Sequence, residues 1–277
     1  MAPLDAVGIV GLGAIGGSLA RGLVAHGVVV RAWSASDEDN AHARRAGIDV
    51  ADRLTEVASA GTIVIAVPIG AIADVARRLL EHAAADAVLL HAGSLQGREA
   101  LRLGEEAHAR VVGTHPIAGS AGSGFGASHP DMFAGACVSI DDRATAEIRV
   151  RAEALWRAVG ATELEYRDAD SHDRFVAWMS QLPQLTATAL AATIRGHGDP
   201  VSAGGPGARD TTRLAQSDWS VWRDLLAHAS PQLPAALAAL EATLRFLRLA
   251  IERGDIDAIA ETWEHARAWR RAAEAPQ

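Results

Sequence analysis

The sequence predicts an α/β fold: a doubly wound parallel sheet followed by an all-helical segment. Three observations carry this. Short apolar runs alternate with helix-period segments through the first half of the chain. A glycine-rich turn, Gly11-Leu12-Gly13-Ala14-Ile15-Gly16, joins the first such run to the first helical stretch. After about Asp168 the pattern changes to long Ala/Leu-rich segments with few strand signals.

Taken in order, strands are expected at Val7–Val10, Val28–Trp33, Thr62–Val67, Ala87–Leu90 and Val111–Thr114. Their continuous apolar character suits a parallel sheet covered on both faces. Helices are expected over Ile15–Ala25, Asp37–Ala46, Ile69–Ala84 and Arg98–Ala107. Cys137–Ile140, a helix over Ala144–Val159, and Glu163–Tyr166 complete this part. Helices over Ser171–Arg195, Trp219–Ala229, Pro231–Arg253 and Ile256–Ala273 make up the rest. Irregular breaks fall at 196–200 and 203–207. The division is therefore residues 1–168, a Rossmann-type dinucleotide-binding domain, and 169–277, an all-helical domain; its substrate and dimerisation roles come from the resemblance given below. Five of the seven tryptophans lie in the second part, where core or subunit-interface packing is their expected role.

Composition narrows the class. With 277 residues, 49% hydrophobic and 22% charged, the chain reads as an ordinary globular protein. A net charge of −8 and the lack of any basic run argue against nucleic-acid binding. Every basic residue other than histidine is arginine, so an anionic substrate needs a local arginine site. The single cysteine, Cys137, permits no internal disulfide and fits a reducing cytoplasm. Neither a signal peptide nor an apolar run long enough to span a membrane is visible. The histidine spacing carries no metal signature.

In the fingerprint, Gly11 permits the tight turn, Gly13 lets backbone approach a pyrophosphate, and Gly16 allows close helix–strand contact. The helix opening at Ala14 and Ile15 then offers N–H donors and a favourable dipole to phosphate. An NAD enzyme places Asp or Glu at the tip of the second strand; Ser34 stands there, with Asp37 a few residues later. No arginine follows to bind a 2′-phosphate, and Arg31 alternates away along the strand. NAD and NADP both remain open. Val67-Pro68 ends the next strand, under the nicotinamide half.

Gly113-Thr114-His115-Pro116-Ile117-Ala118-Gly119 places one imidazole on a Gly- and Pro-fixed turn just after a β-branched run. Its unperturbed pKa suits proton transfer. From here the chain resembles the prephenate/arogenate dehydrogenases of tyrosine biosynthesis. The likeness includes the glycine fingerprint, Gly93-Ser94, the His115 segment, Pro130–Gly135, His172-Asp173-Arg174, Ser180-Gln181-Leu182-Pro183-Gln184 and Gly207–Arg213. It implies oxidative decarboxylation of a cyclohexadienyl acid by NAD(P), in a homodimer formed through the C-terminal helices. His115 would be the base, with Ser94 bonding that imidazole or the substrate hydroxyl. Arg213 would grip a substrate carboxylate through a bidentate fork. His172 either contacts the site or makes a structural hydrogen bond, and Trp222 either walls the pocket or packs a helix. Arg209 is expected to be held by the adjacent Asp210.

Departures from the family pattern concern the substrate. Gln181 and Gln184 stand where many relatives have histidine, and they cannot carry charge near neutrality. Ala121 stands where a carboxylate is common, favouring the keto acid prephenate over amino-acid arogenate. An amino-substituted prephenate is a second enzymatic reading. A nucleotide-sensing protein without turnover is the non-enzymatic one.

Overall fold

The computed structural model describes residues 4, 6–119, 122–198, 200, 202 and 204–272. Ala121, expected at the substrate site, lies outside the described residues. The chain divides into two compact units, one ending at Ser230 and one beginning at Pro231.

The first unit opens with β1 (Ala6–Val10), α1 (Ala14–Ala25), β2 (Val29–Trp33), α2 (Asp37–Arg45), β3 (Asp49–Val50) and α3 (Leu54–Val57). Then come β4 (Thr62–Ile65), α4 (Ile69–Leu80), β5 (Val88–His91), α5 (Arg98–Leu101), α6 (Glu105–Arg110) and β6 (Val111–Pro116). β7 (Cys137–Asp141), α7 (Ala146–Ala158) and β8 (Glu163–Arg167) finish the sheet. The unit closes with α8 (Ala169–Val176), α9 (Leu182–His197), α10 (Pro206–Thr212) and α11 (Trp219–Ala227).

The described strands form one eight-stranded sheet in the order β3-β2-β1-β4-β5-β6-β7-β8. Pairing is parallel from β3 through β6, as the apolar runs require. β4 and β5 are buried along their whole length. Two separate cores flank the sheet. One joins Val7, Ile9, Leu19 and Leu23 to Phe133, Leu155 and Trp156. The other joins Ile63, Ile65, Ile72 and Leu79 to Val176 of α8 and Leu225 of α11.

Five local expectations change, three of them in the sheet and its connections. β7 runs antiparallel to β6, so the sheet is not wholly parallel. The stretch expected as one helix over Arg98–Ala107 is α5 and α6, separated where Arg102 takes φ +53° and Gly104 caps α6. β6 reaches Pro116, which puts His115 inside a strand opposite Ser139 rather than on a turn after it. The ladder partner β7, distant in sequence, extends the strand past the point where local propensity stops. The helix α10 was not expected; Pro206 at its first turn starts it.

The run expected as one helix over Ser171–Arg195 is interrupted by a π-helical segment, Ala177–Gln181. It sits just ahead of Pro183, in the first turn of α9. A proline there lacks the N–H that would continue the ladder, and a widened turn absorbs the missing bond. Polar contacts tie this helical stretch to the sheet. Asp224 of α11 accepts from the Gly70 N–H at 2.9 Å, at the start of α4.

The second unit contains α12 (Gln232–Arg253) and α13 (Ile256–Ala272), joined at Gly254, whose φ of +69° allows the left-handed cap. Leu244, Phe246, Ile251, Ile256, Trp263 and Trp269 are exposed along this pair. Among the described residues, no helix is long and apolar enough to cross a membrane.

One buried imidazole bears on stability. His91, at the end of β5, is 1% exposed, and its Nδ1 accepts from the Gly93 N–H at 3.3 Å. Burial pushes it down to about 4, against the opposing pull of Asp141 and Asp173. The unfolded chain therefore takes up this proton first as pH falls below about 6.5, and folded-state stability is lost between there and about 4. Urea unfolding at pH 7 and pH 4.5 should show a loss to which His91 contributes about 2–3 kcal/mol. The loss should shrink by that amount in His91→Gln. A second measurement concerns Gly11, at φ +97°, where an added Cβ would lie 2.3 Å from the Ala66 carbonyl oxygen. Gly11→Ala should destabilise by at least about 1–3 kcal/mol in the same assay.

Candidate active site

The chain moves from β1 outward to β2 and β3, then returns to β4 on the other side of β1. A crevice opens at such a switch point, outside the carboxyl ends of the strands. Gly11 follows β1 there, its N–H donating to the Trp33 carbonyl at 2.8 Å. Val67, just past β4, lies against it: a Cβ on Gly11 would be 3.0 Å from Val67 Cγ1. The sheet thus brings Gly11, Val67 and Pro68 together at one edge. Pro68 caps α4.

The three fingerprint glycines do different things. Gly11 needs its positive φ, and Gly16 lies so close to the Gly11 carbonyl that a Cβ would be 1.9 Å from it. Gly13 is unlike both, because a Cβ there would meet nothing within 4 Å. No protein neighbour excludes a side chain at that position, so the space beyond Gly13 fits a ligand phosphate. Gly13 is also the N-cap of α1, with no side-chain cap. The first-turn amides, including those of Ala14 and Ile15, have no capping partner from it and suit an anion.

At the tip of β2, Ser34 is nearly buried. Its backbone exchanges hydrogen bonds with the Asn40 side chain at 3.0 and 2.8 Å, and its Oγ accepts from the Ser36 N–H at 3.2 Å. Arg31 is drawn away into ion pairs with Glu56 and Asp49.

Further along the same edge, His115 and His172 meet. His115 Nδ1 lies 3.0 Å from His172 Nε2, with the rings edge to face. His172 Nδ1 lies 2.9 Å from Asp173 Oδ1. Asp173 also accepts from the Gln96 N–H at 2.8 Å and the Gly97 N–H at 2.9 Å. His172 is 1% exposed and Asp173 5%, whereas His115 keeps partial exposure. Desolvation holds His115 neutral, pushed down to about 3, and the neighbouring imidazoles His172 and His91 add to this. A neutral imidazole with one open edge can accept a proton.

Asp173 and Gln96 were not singled out as site residues in the sequence. Gln96 donates from Nε2 to the Ser139 carbonyl at 2.8 Å and packs on Gly113, where a Cβ would be 2.7 Å from its Cγ. Asp173 left only the His-Asp pairing as a signal. Ser94 is half-buried in the loop after β5, and its hydroxyl makes no hydrogen bond among the described residues.

The remaining sequence candidates lie on the helices after β8. Gln184 is engaged within the fold, donating to the Leu214 carbonyl at 2.8 Å and accepting from the Ser217 hydroxyl at 3.3 Å. It thereby ties α9 to the 3-10 turn that starts at Arg213. Gln181 is fully buried, and neither amide atom has a hydrogen-bond partner among the described residues. Arg213 is exposed, and no hydrogen bond or ion pair ties it to the histidine cluster among the described residues. Arg209 is likewise exposed and is not held by Asp210, contrary to the sequence expectation. Trp222 is partly buried against the core that contains Ile72, Val176 and Leu225.

The family model described as prephenate dehydrogenase, nucleotide-binding domain, matches residues 19–162, and that described as prephenate dehydrogenase, dimerization domain, matches 168–265. The fingerprint glycines lie ahead of the first match. A cyclohexadienyl dehydrogenase from Zymomonas mobilis is 28% identical over 96% of this chain and 95% of its own length. A prephenate dehydrogenase from Lactococcus lactis is 26% identical, over 96% of this chain and 77% of its own. The crystal structure of prephenate dehydrogenase from A. aeolicus, in complex with hydroxyphenyl propionate and NAD+, aligns with a TM-score of 0.87 at 26% identity, covering 98% of this chain and 99% of that one. With both domain models matched in order along one chain, this protein belongs to the prephenate dehydrogenase family.

Proposed function

We propose that this chain uses NAD or NADP to convert prephenate to 4-hydroxyphenylpyruvate by oxidative decarboxylation. The observation that carries the reading is a neutral, partly exposed His115 on the sheet edge that also presents the glycine turn. β6 lies three strands from β1, roughly 14 Å across the sheet. The Gly11–Gly16 turn, with Ala14 and Ile15, would hold the pyrophosphate; Ser34 would meet the ribose, and Val67-Pro68 the nicotinamide half. A nicotinamide bound there supplies the hydride acceptor.

The chain's own part is proton handling and positioning. His115 Nε2 draws the proton from the substrate hydroxyl as the carbinol carbon is oxidised. The ring carboxylate then leaves as CO2, its electron pair aromatises the ring, and the phenolate oxygen regains a proton. Ser94, with an uncommitted hydroxyl, would bond the substrate oxygen. Arg213 would grip a carboxylate. Gln184 supports this by fixing the turn after α10, and Gln181 is the second glutamine we assign to the substrate side. Residues 1–168 would then serve the nucleotide and 169–277 the substrate and a homodimer. The exposed apolar residues of α12 and α13 and the dimerization-domain match support that assembly. A reducing cytoplasm suits the single cysteine.

Arogenate is the second substrate reading, favoured by the relative named for cyclohexadienyl acids at large. Purified protein assayed with NAD+ or NADP+ against prephenate and arogenate should show nicotinamide reduction with at least one pair, prephenate foremost. His115→Asn should lower turnover by about 10²–10⁴-fold while dinucleotide affinity holds. A nucleotide sensor would show neither effect, and that result would sink the enzymatic reading. Gly13→Val tests the cofactor site separately. Its Cβ meets no protein atom within 4 Å, so the folded state should persist, checked by thermal unfolding beside the binding assay. Dinucleotide affinity, read by calorimetry, should fall by more than about tenfold.

A further inference from the structure

The hydrogen bonds around His115 run in one direction, and that direction decides which ring nitrogen carries the proton. Asp173 accepts backbone N–H groups on both oxygens, from Gln96 and Gly97. A carboxylate so placed is an acceptor only, so the nitrogen facing it, His172 Nδ1 at 2.9 Å, must be the donor. When Nδ1 carries the one ring proton, His172 keeps a lone pair on Nε2. That lone pair faces His115 Nδ1 at 3.0 Å, which must then be the N–H. The lone pair of His115 is left on Nε2, the nitrogen outside this chain of bonds. The opposite arrangement would put the proton on Nε2 and leave His115 unable to accept another.

We propose that His172 and Asp173 are positioning residues that hold His115 in the tautomer whose Nε2 is free to accept a proton. As Nε2 takes the substrate proton, the Nδ1–H···Nε2 bond to His172 strengthens and the positive charge is drawn toward Asp173. One proton arrives at Nε2 and returns to the phenolate oxygen, so the set is restored each turnover. Other groups act on the same cluster. His91 presses from β5 and opposes positive charge on His115, while Asp141 of β7 and Arg143 act on His91 with opposite signs. Asp173 is the acidic side chain bonded into the imidazole chain.

That Nε2 receives the substrate proton rests on the function proposed above; the tautomer itself does not. It can be read without turnover, from side-chain 15N shifts and long-range 1H couplings in histidine-labelled protein. The wild type should show the proton of His115 on Nδ1. Asp173→Asn presents an amide to His172 and should move His115 to the Nε2–H form. Its kcat should fall about 10²–10⁴-fold with KM and dinucleotide affinity unchanged. Because Asp173 also holds two backbone amides, a second pair guards against misfolding. His172→Gln can still accept from Nδ1–H and should retain more kcat than His172→Leu, which cannot. A wild-type His115 protonated on Nε2 overturns the proposal. So does an Asp173→Asn protein with unchanged tautomer and kcat, or equal loss in the two His172 variants. If the wild type turned over no cyclohexadienyl acid, the functional reading would fall while the 15N measurement still decided the tautomer.

Discussion

The carboxylate of Asp173 is the contact on which the site depends. It takes the N–H groups of Gln96 and Gly97 and the Nδ1 of His172, nearly out of solvent. Those amides belong to the loop after β5, and Asp173 belongs to α8, the first helix beyond the sheet. A single side chain therefore locks the helical stretch onto the strand edge. It also sets the loop that carries Ser94. Hydrogen bonds to a buried carboxylate are among the stronger kind, and removing one partner leaves a buried group unsatisfied. α8 through α11 belong to the same compact unit as the sheet, the one that ends at Ser230.

From that lock the chemistry follows by geometry. His172 cannot turn without breaking its bond to Asp173, and His115 is held against His172. Two of the three imidazoles, His115 and His91, lie well below the usual histidine value, so these two rings are held neutral and His115 can receive a proton. At the other end of the edge the backbone does the work. Gly11 and Gly16 are required by the fold, while Gly13 is required by nothing in the protein and opens onto the space a phosphate would take.

On the helices after β8 the two glutamines divide. Gln184 spends its amide on Leu214 and Ser217 and so shapes the turn bearing Arg213. Gln181 keeps both amide atoms buried and unpartnered beside the π-helical segment. The two positions look equivalent in the sequence, three residues apart in one motif. The fold gives one a supporting bond and leaves the other with unmet hydrogen-bonding capacity.

The alternation of apolar runs and helical stretches was enough to read β1, β2, β4, β5 and α1, α2, α4 and α7, because the pattern that marks each is local in sequence. The fingerprint glycines were legible for the same reason: turn, helix start and close approach are all decided within six residues. His115 could be picked out, but not its place inside β6, because β7 supplies the ladder that extends the strand. Nor could Asp173 be paired with its neighbour. Adjacent residues on a helix do not ordinarily face each other, and the loop of Gln96 and Gly97 lies more than seventy residues away. Sequence alone singled out the glycine turn and the imidazole of His115. Tertiary structure decided which nitrogen of His115 is free, since that depends on a bond made only when α8 docks on the edge of the sheet.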